Sequence, residues 1–315
     1  LSVRAGWRNT GRAAAETGSS APEISCQGMR KIVVTLEGGL GNQMFQYAAA
    51  RAAAVRTSSQ LALDIRPLSA SGERGYSLGA FRLREPVELV TEGPAPRRNG
   101  RIRNFLNSLL GGERHFRESG FRYDPAVLRI NPSLRMEGYF QSERYFADIA
   151  SVIREDFTPR EDLLAEINLL AEKLIPSGPC VSLHVRRGDY TNPATMAVHG
   201  LLDAPYYEKG LRLVAERIGQ ALPICVFTDD SAWVRANLGL PGELSIISEH
   251  TRSPLQDLIL MSRCTHHITA NSSFSWWGAW LNPSQDKIVV TPARWFQPDA
   301  GLDTKDLRPD GWIQA

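Results

Sequence analysis

Long apolar runs are missing from this 315-residue sequence. No stretch approaches the roughly 20 residues that span a bilayer, and none has the apolar core of a secretory signal, so at most peripheral membrane contact is expected. Cysteine is scarce: Cys26, Cys180, Cys225 and Cys264 are far apart and form no C-x-x-C pair. Such spacing offers neither a disulfide framework nor a metal knuckle. The thiols read as small hydrophobes in a reducing, cytoplasmic setting, and no metal site is expected. Lysine occurs only at Lys31, Lys173, Lys209, Lys287 and Lys305. The net charge of +2 excludes a broad nucleic-acid-binding face, so any anion site must be a local cluster.

What is present is the composition of a globular chain, 43% hydrophobic and 22% charged, and long enough for two domains. Leu1 to Gly28 is rich in Ala, Gly, Ser and Arg without periodicity, and is expected to be a flexible extension, with the biological start near Met29. The cluster Ile175-Pro176-Ser177-Gly178-Pro179 marks a domain boundary. The expected division is 1–28, 29–175, 176–295 and a C-terminal segment 296–315.

In the first half, the strand Ile32–Leu36 runs into Gly38-Gly39-Leu40-Gly41-Asn42-Gln43 and then an Ala-rich helix, Met44 to Val55. Strand, glycine turn and helix open many nucleotide-binding folds, and the exposed N–H groups suit an anion. Gly39, Gly41 and an acid at Asp64 partly imitate a dinucleotide fingerprint, but Met44 stands where the third glycine belongs. An NAD(P)-binding enzyme is therefore one alternative. The amides of Asn42 and Gln43 point instead toward a sugar. From Pro94 to Arg122 the chain is irregular and basic (Arg97, Arg98, Arg101, Arg103, Arg114, Arg117, Arg122), either a solvated face or the mouth of an acceptor site. Helical runs follow at Ile149–Phe157 and Glu161–Leu174.

In the second half, strands at 180–184, 223–228, 244–247, 266–270 and 287–291 alternate with helices at 205–218, 231–238, 254–263 and 273–282. The alternation predicts a parallel sheet covered by helices. Ser231 and Ser253 are expected helix caps, Gly239 a helix end, with Pro254 opening the turn after Ser253. Three strand ends carry chemistry. His184-Val185-Arg186-Arg187-Gly188-Asp189-Tyr190 places two guanidinium groups where an open sheet binds ligands, and their fork matches phosphate. Asp229-Asp230 resembles a metal-binding D-x-D only superficially and reads as helix capping. Asn271-Ser272-Ser273-Phe274 offers hydroxyl and backbone donors at a helix start, followed by Trp276, Trp277 and Trp280 as packing residues. Asp257 has the two acceptors that a guanine edge requires.

Together the Gly38–Ala48 block, His184–Tyr190, Phe227–Asp230 and Asp257 through Trp280 resemble the bacterial family 11 glycosyltransferases, α-1,2-fucosyltransferases that use GDP-fucose. The resemblance runs from about Met29 to Trp295. It implies a GT-B-like α/β fold: two Rossmann-type domains facing a cleft, with the acceptor side in 29–175 and the GDP-fucose side in 176–295. It also implies inverting, cofactor-free and metal-independent transfer to a galactose-terminated glycan. By the same resemblance Arg186 holds the β-phosphate, supported by Arg187, while His184 and Asp257 hold guanine. Ser272 and Ser273, with Asn271 and Phe274 beside them, contact the diphosphate, and Gly39, Gly41, Asn42 and Gln43 face the donor sugar. Asp189, His199 and Glu37 are the candidates for receiving the acceptor proton.

Overall fold

A computed structural model describes residues 30–71, 75–84, 86–93, 114–129, 133–239 and 244–315. The expected extension 1–28, Cys26 and the arginines at 97, 98, 101 and 103 lie outside them.

The first half begins β1 (Lys31–Thr35), α1 (Leu40–Thr57), β2 (Gln60–Asp64) and α2 (Arg66–Ser71). β3 (Glu88–Val90), β4 (Arg114–Arg117) and β5 (Leu134–Glu137) follow. These strands form a parallel sheet in the order β3-β2-β1-β5-β4. Ile32, Val33 and Val34 are buried, as a parallel strand covered on both faces requires. α3 (Ala150–Asp156) and α4 (Glu161–Leu174) lead out of this half.

The second half runs β6 (Val181–Val185), α5 (Pro193–His199), α6 (Ala204–Ile218), β7 (Ile224–Thr228), α7 (Ser231–Asn237) and β8 (Leu244–Ile246). It closes with α8 (Pro254–Arg263), β9 (His266–Ile268), α9 (Ser273–Leu281), β10 (Val289–Thr291) and β11 (Ile313–Gln314). The sheet order is β11-β10-β9-β6-β7-β8, again parallel throughout. Two parallel sheets, each with helices, make the α/β GT-B-like architecture.

The segment after Trp295 does not stay on one half. β11 extends the second sheet, while Asp306 accepts hydrogen bonds from Arg122 and Arg144 of the first. α1 joins the halves from the other direction. It starts at Leu40, four residues before the apolar pattern announces a helix, because the amides of Asn42 and Gln43 already bond to the Gly39 carbonyl. Its alanines carry no bulk, so it is buried on nearly every side. Phe45 meets Trp276 at 4.4 Å and Trp277 at 4.9 Å between ring centroids. The Trp277 indole donates to the Gly41 carbonyl at 3.0 Å. The tryptophans of α9 therefore form the core between the two halves.

Local punctuation differs from the sequence reading in two places. Asp230, not Ser231, caps α7, because its carboxylate accepts from the Trp233 amide at 2.9 Å. That helix ends at Leu238 rather than Gly239. Ser253 caps α8 with Pro254 in its first turn, as expected. β3, β4, β5 and α5 escape sequence reading because they are short and interrupted by polar residues, as in Arg-His-Phe-Arg of β4.

Candidate active site

The strand ends of both sheets open onto one cleft of about 970 Å³. Gly39, Gly41 and Asn42 enter from β1 and α1; His184, Arg186 and Asp189 from β6; Asn271 through Phe274 from β9 and α9. Ligands bind open α/β sheets at this edge, because loops there can diverge while the strands fix their starting points.

Arg186 is held between two carboxylates. One guanidinium nitrogen lies 2.6 Å from Asp189 and the other 2.7 Å from Asp229, and its carbon sits 5.6 Å from the Tyr190 ring centre. Asp229 is braced in turn by the Arg187 amide at 2.8 Å. A side chain at Gly188 would come within 2.6 Å of the Asp229 carboxylate, so only glycine lets the loop close over it. Asp229 is thus not a helix cap but the residue that aims Arg186, leaving the cap to Asp230. Arg187 behaves differently. It packs 4.3 Å over the Trp233 ring, pairs with Asp230, and does not line the cleft.

His184 is 5% exposed, and its Nδ1 has no hydrogen-bond partner. Burial, with the Arg186 charge nearby, pushes its pKa down to about 3, so the imidazole is neutral. Asp257 accepts 2.6 Å hydrogen bonds from the Ser248 and Thr251 hydroxyls. Burial raises its pKa despite those bonds. Each carboxylate oxygen keeps further acceptor capacity.

At the α9 start, Ser272 caps the helix by accepting from the Phe274 amide. Ser273 donates to the Asn42 side-chain oxygen at 2.8 Å, and the Gln141 amide donates to the same oxygen at 2.9 Å. Asn271 lines the cleft, but its amide is used on the His199 and Trp295 carbonyls, fixing the end of α5. His199 stacks on Tyr190 at 4.6 Å and has no partner for Nδ1. Burial lowers its pKa; the Asp189 charge opposes the shift and that of Arg186 adds to it.

Besides Arg187, three sequence-predicted positions are not brought to the cleft. Gln43 is buried and fully engaged, donating to the Gly38 and Gly75 carbonyls and accepting from the Ser77 amide. It shapes the loop rather than facing the donor. Glu37 does not line the cleft either. Asp64 is 0% exposed and ion-paired with Arg66 and Arg135, which removes the acid an NAD(P) ribose would need. Far from one another in sequence, Cys180, Cys225 and Cys264 converge with all three sulfurs within 4.8 Å. They are buried and outside the cleft wall.

The sequence matches the model of glycosyl transferase family 11 across residues 13–314. The chain belongs to this family. It is 34% identical over 304 residues to an α-1,2-colitosyltransferase of Escherichia coli, covering 91% of this chain and 99% of that protein. It is 26% identical over 273 residues to galactoside α-(1,2)-fucosyltransferase 2 of Oryctolagus cuniculus, covering 84% and 69% of the two chains. Its fold is similar to that of an Arabidopsis thaliana FUT1 variant in complex with GDP, with a TM-score of 0.53 and 12% identity over 90% of this chain and 76% of that one. The NAD(P) alternative is thereby set aside on family as well as on geometry.

Several residues of this family 11 glycosyltransferase's cleft carry no signal in the sequence. Ser248 and Thr251 matter only through Asp257, and Gln141 only through Asn42. Phe121, Tyr139 and Phe296 look like ordinary core aromatics until the fold places them on the cleft wall. The one usable hint lay in the Tyr139–Gln141 stretch, where an aromatic and an amide flank a phenylalanine outside any periodic run.

Proposed function

We propose that the enzyme transfers L-fucose, with inversion, from GDP-β-L-fucose to the 2-hydroxyl of a galactoside. The observation that carries this reading is Arg186, fixed by two carboxylates in a cleft that the start of α9 also enters. Breaking the sugar C1–O bond puts negative charge on the departing diphosphate. A guanidinium already aimed at that charge stabilises it without reorganising, by about 3–4 kcal/mol on the scale of oxyanion-hole donors. This is the role a divalent cation plays in other transferases, so transfer is proposed to be metal-independent.

The uncharged His184 and the Asp257 carboxylate form the base-binding end, where a carboxylate accepts two N–H groups of guanine. The acceptor attacks the face of the sugar opposite the diphosphate. Its proton passes to Asp189 or His199, which both line the cleft, and a neutral imidazole is competent to take it at pH 7. The α-1,2 linkage is supported by the names of both relatives, and a galactoside acceptor by that of the Oryctolagus cuniculus protein.

The E. coli relative favours a second reading in which the donor sugar is colitose. The deciding experiment incubates the protein with GDP-fucose or GDP-colitose and an array of terminal galactosides in EDTA, then determines the product linkage. An α-1,2-fucosyl product upholds the proposal. A colitosyl product alone moves it to the second reading, and silence under EDTA reversed by a cation refutes the metal-independent step.

A further inference from the structure

Beside the nucleotide end, the cleft carries a continuous aromatic wall. Tyr139 stacks on Phe121 at 5.9 Å with the ring planes 8° apart. Phe121 meets Phe296 at 4.8 Å, Phe296 meets His199 at 5.1 Å, and His199 stacks on Tyr190. The run ends at Arg186, whose guanidinium lies over Tyr190. Val198 and Leu302, 38% and 39% exposed, border the same space.

The wall is assembled from separate parts of the chain and is clamped. Asp306, only 6% exposed, accepts from Arg144 at 2.7 Å, from the Tyr123 amide at 3.2 Å and from Arg122 at 3.3 Å. Arg122 also reaches Asp303 at 3.1 Å. These bonds tie the loop bearing Phe121 to the segment that follows Phe296. Aromatic rings that line a cleft and are held from behind suit a ligand with one flat apolar face.

We infer that this wall is the acceptor subsite, and that it takes a terminal pyranose of galacto configuration by stacking its C–H face on Phe121 and Phe296. This subsite presupposes the transfer reaction proposed above. With its 4-hydroxyl axial, galactose gathers the hydrogens of C3, C4 and C5 on one face. Glucose puts the C4 hydrogen on the opposite face from those of C3 and C5, and so lacks this contiguous patch. A sugar lying on the wall has the phosphate-binding arginine at one end, so a ring hydroxyl faces the reacting carbon while the glycan's remainder leaves past Val198 and Leu302.

Saturation-transfer NMR with methyl β-galactoside and methyl β-glucoside tests the subsite without needing turnover. The expected result is strongest transfer to H3, H4 and H5 of the galactoside. Phe121→Ala should abolish it, and Phe121→Leu, which keeps the volume but not the ring, should weaken it. In steady-state assays both variants should raise the acceptor KM tenfold or more, leaving GDP affinity unchanged. Uniform saturation, equal response to both sugars, or a loss of GDP affinity in Phe121→Ala would overturn the assignment. If wild type uses no GDP-fucose yet shows the galactoside pattern, the donor assignment fails and the subsite stands.

Discussion

Asn42 accepts a 2.8 Å hydrogen bond from Ser273, joining the first turns of two helices that belong to different sheets. The two helix starts approach so closely that a side chain at Gly41 would lie 2.7 Å from the Ser273 backbone. The cleft is therefore built where the halves touch, and its floor is shared.

Gly41→Ala tests that closeness. Alanine favours a helix over glycine by about 1 kcal/mol, yet here its methyl meets backbone that cannot swing away. The variant is expected to unfold at lower denaturant concentration and to lose most of its transfer activity. Equal or greater stability in chemical denaturation would show that the helix starts can separate freely.

Arg186→Ala is expected to lower kcat by about 100-fold or more, and Arg186→Lys to rescue little of it, because an ammonium cannot reproduce the fork. Asp229→Asn should reduce kcat less than Arg186→Ala does, with little change in acceptor KM, since Asp229 acts only by aiming the guanidinium. Single-turnover rates separate these effects from product release. Near-normal chemistry in Arg186→Ala would remove the arginine from the mechanism.

His184 gives the fold an acid sensitivity of known sign. Its pKa is about 3 in the folded protein and about 6.5 in an unfolded chain, so the folded state holds the neutral form. The stability this represents is complete above pH 6.5 and is lost as pH falls from there toward 3. His267, buried and likewise near 3, adds in the same direction. Urea titrations between pH 7 and 4 should show stability falling, with His184→Gln reducing proton uptake on unfolding by about one. An unchanged slope would mean the imidazole is not kept neutral.

Asp64 stabilises the first sheet rather than holding a cofactor. Removing it takes away the carboxylate that both Arg66 and Arg135 pair with, and breaking a buried pair costs about 3–5 kcal/mol. Asp64→Ala should lower Tm sharply, while calorimetry with NAD gives no binding heat in wild type or variant.

Much of the second sheet can be read directly from the sequence, because β6, β7 and β9 are buried on both faces and their neighbours are capped helices with one polar side. The first sheet is less legible. Arg135 in β5 and the arginines of β4 break the apolar run, and the partner of Arg135, Asp64, lies far along the chain. Within the site, Arg186 and the α9 start stand out because phosphate chemistry restricts the residue types that can serve. Gln43 and Asn42 carry the same amide groups and stand side by side, yet only the fold separates them.

Composition and motif order alone determined the α/β class, the family and the strand ends that line the cleft, since burial periodicity and glycine turns are written locally. Tertiary structure decided which of those groups face the cleft. Arg187 is spent on Trp233, Gln43 on its own loop and Asp64 on two arginines, while Phe121, Tyr139 and Phe296 become a wall. The physical reason is that a polar group's availability depends on whether a partner arrives from elsewhere in the chain, and no local pattern records that arrival.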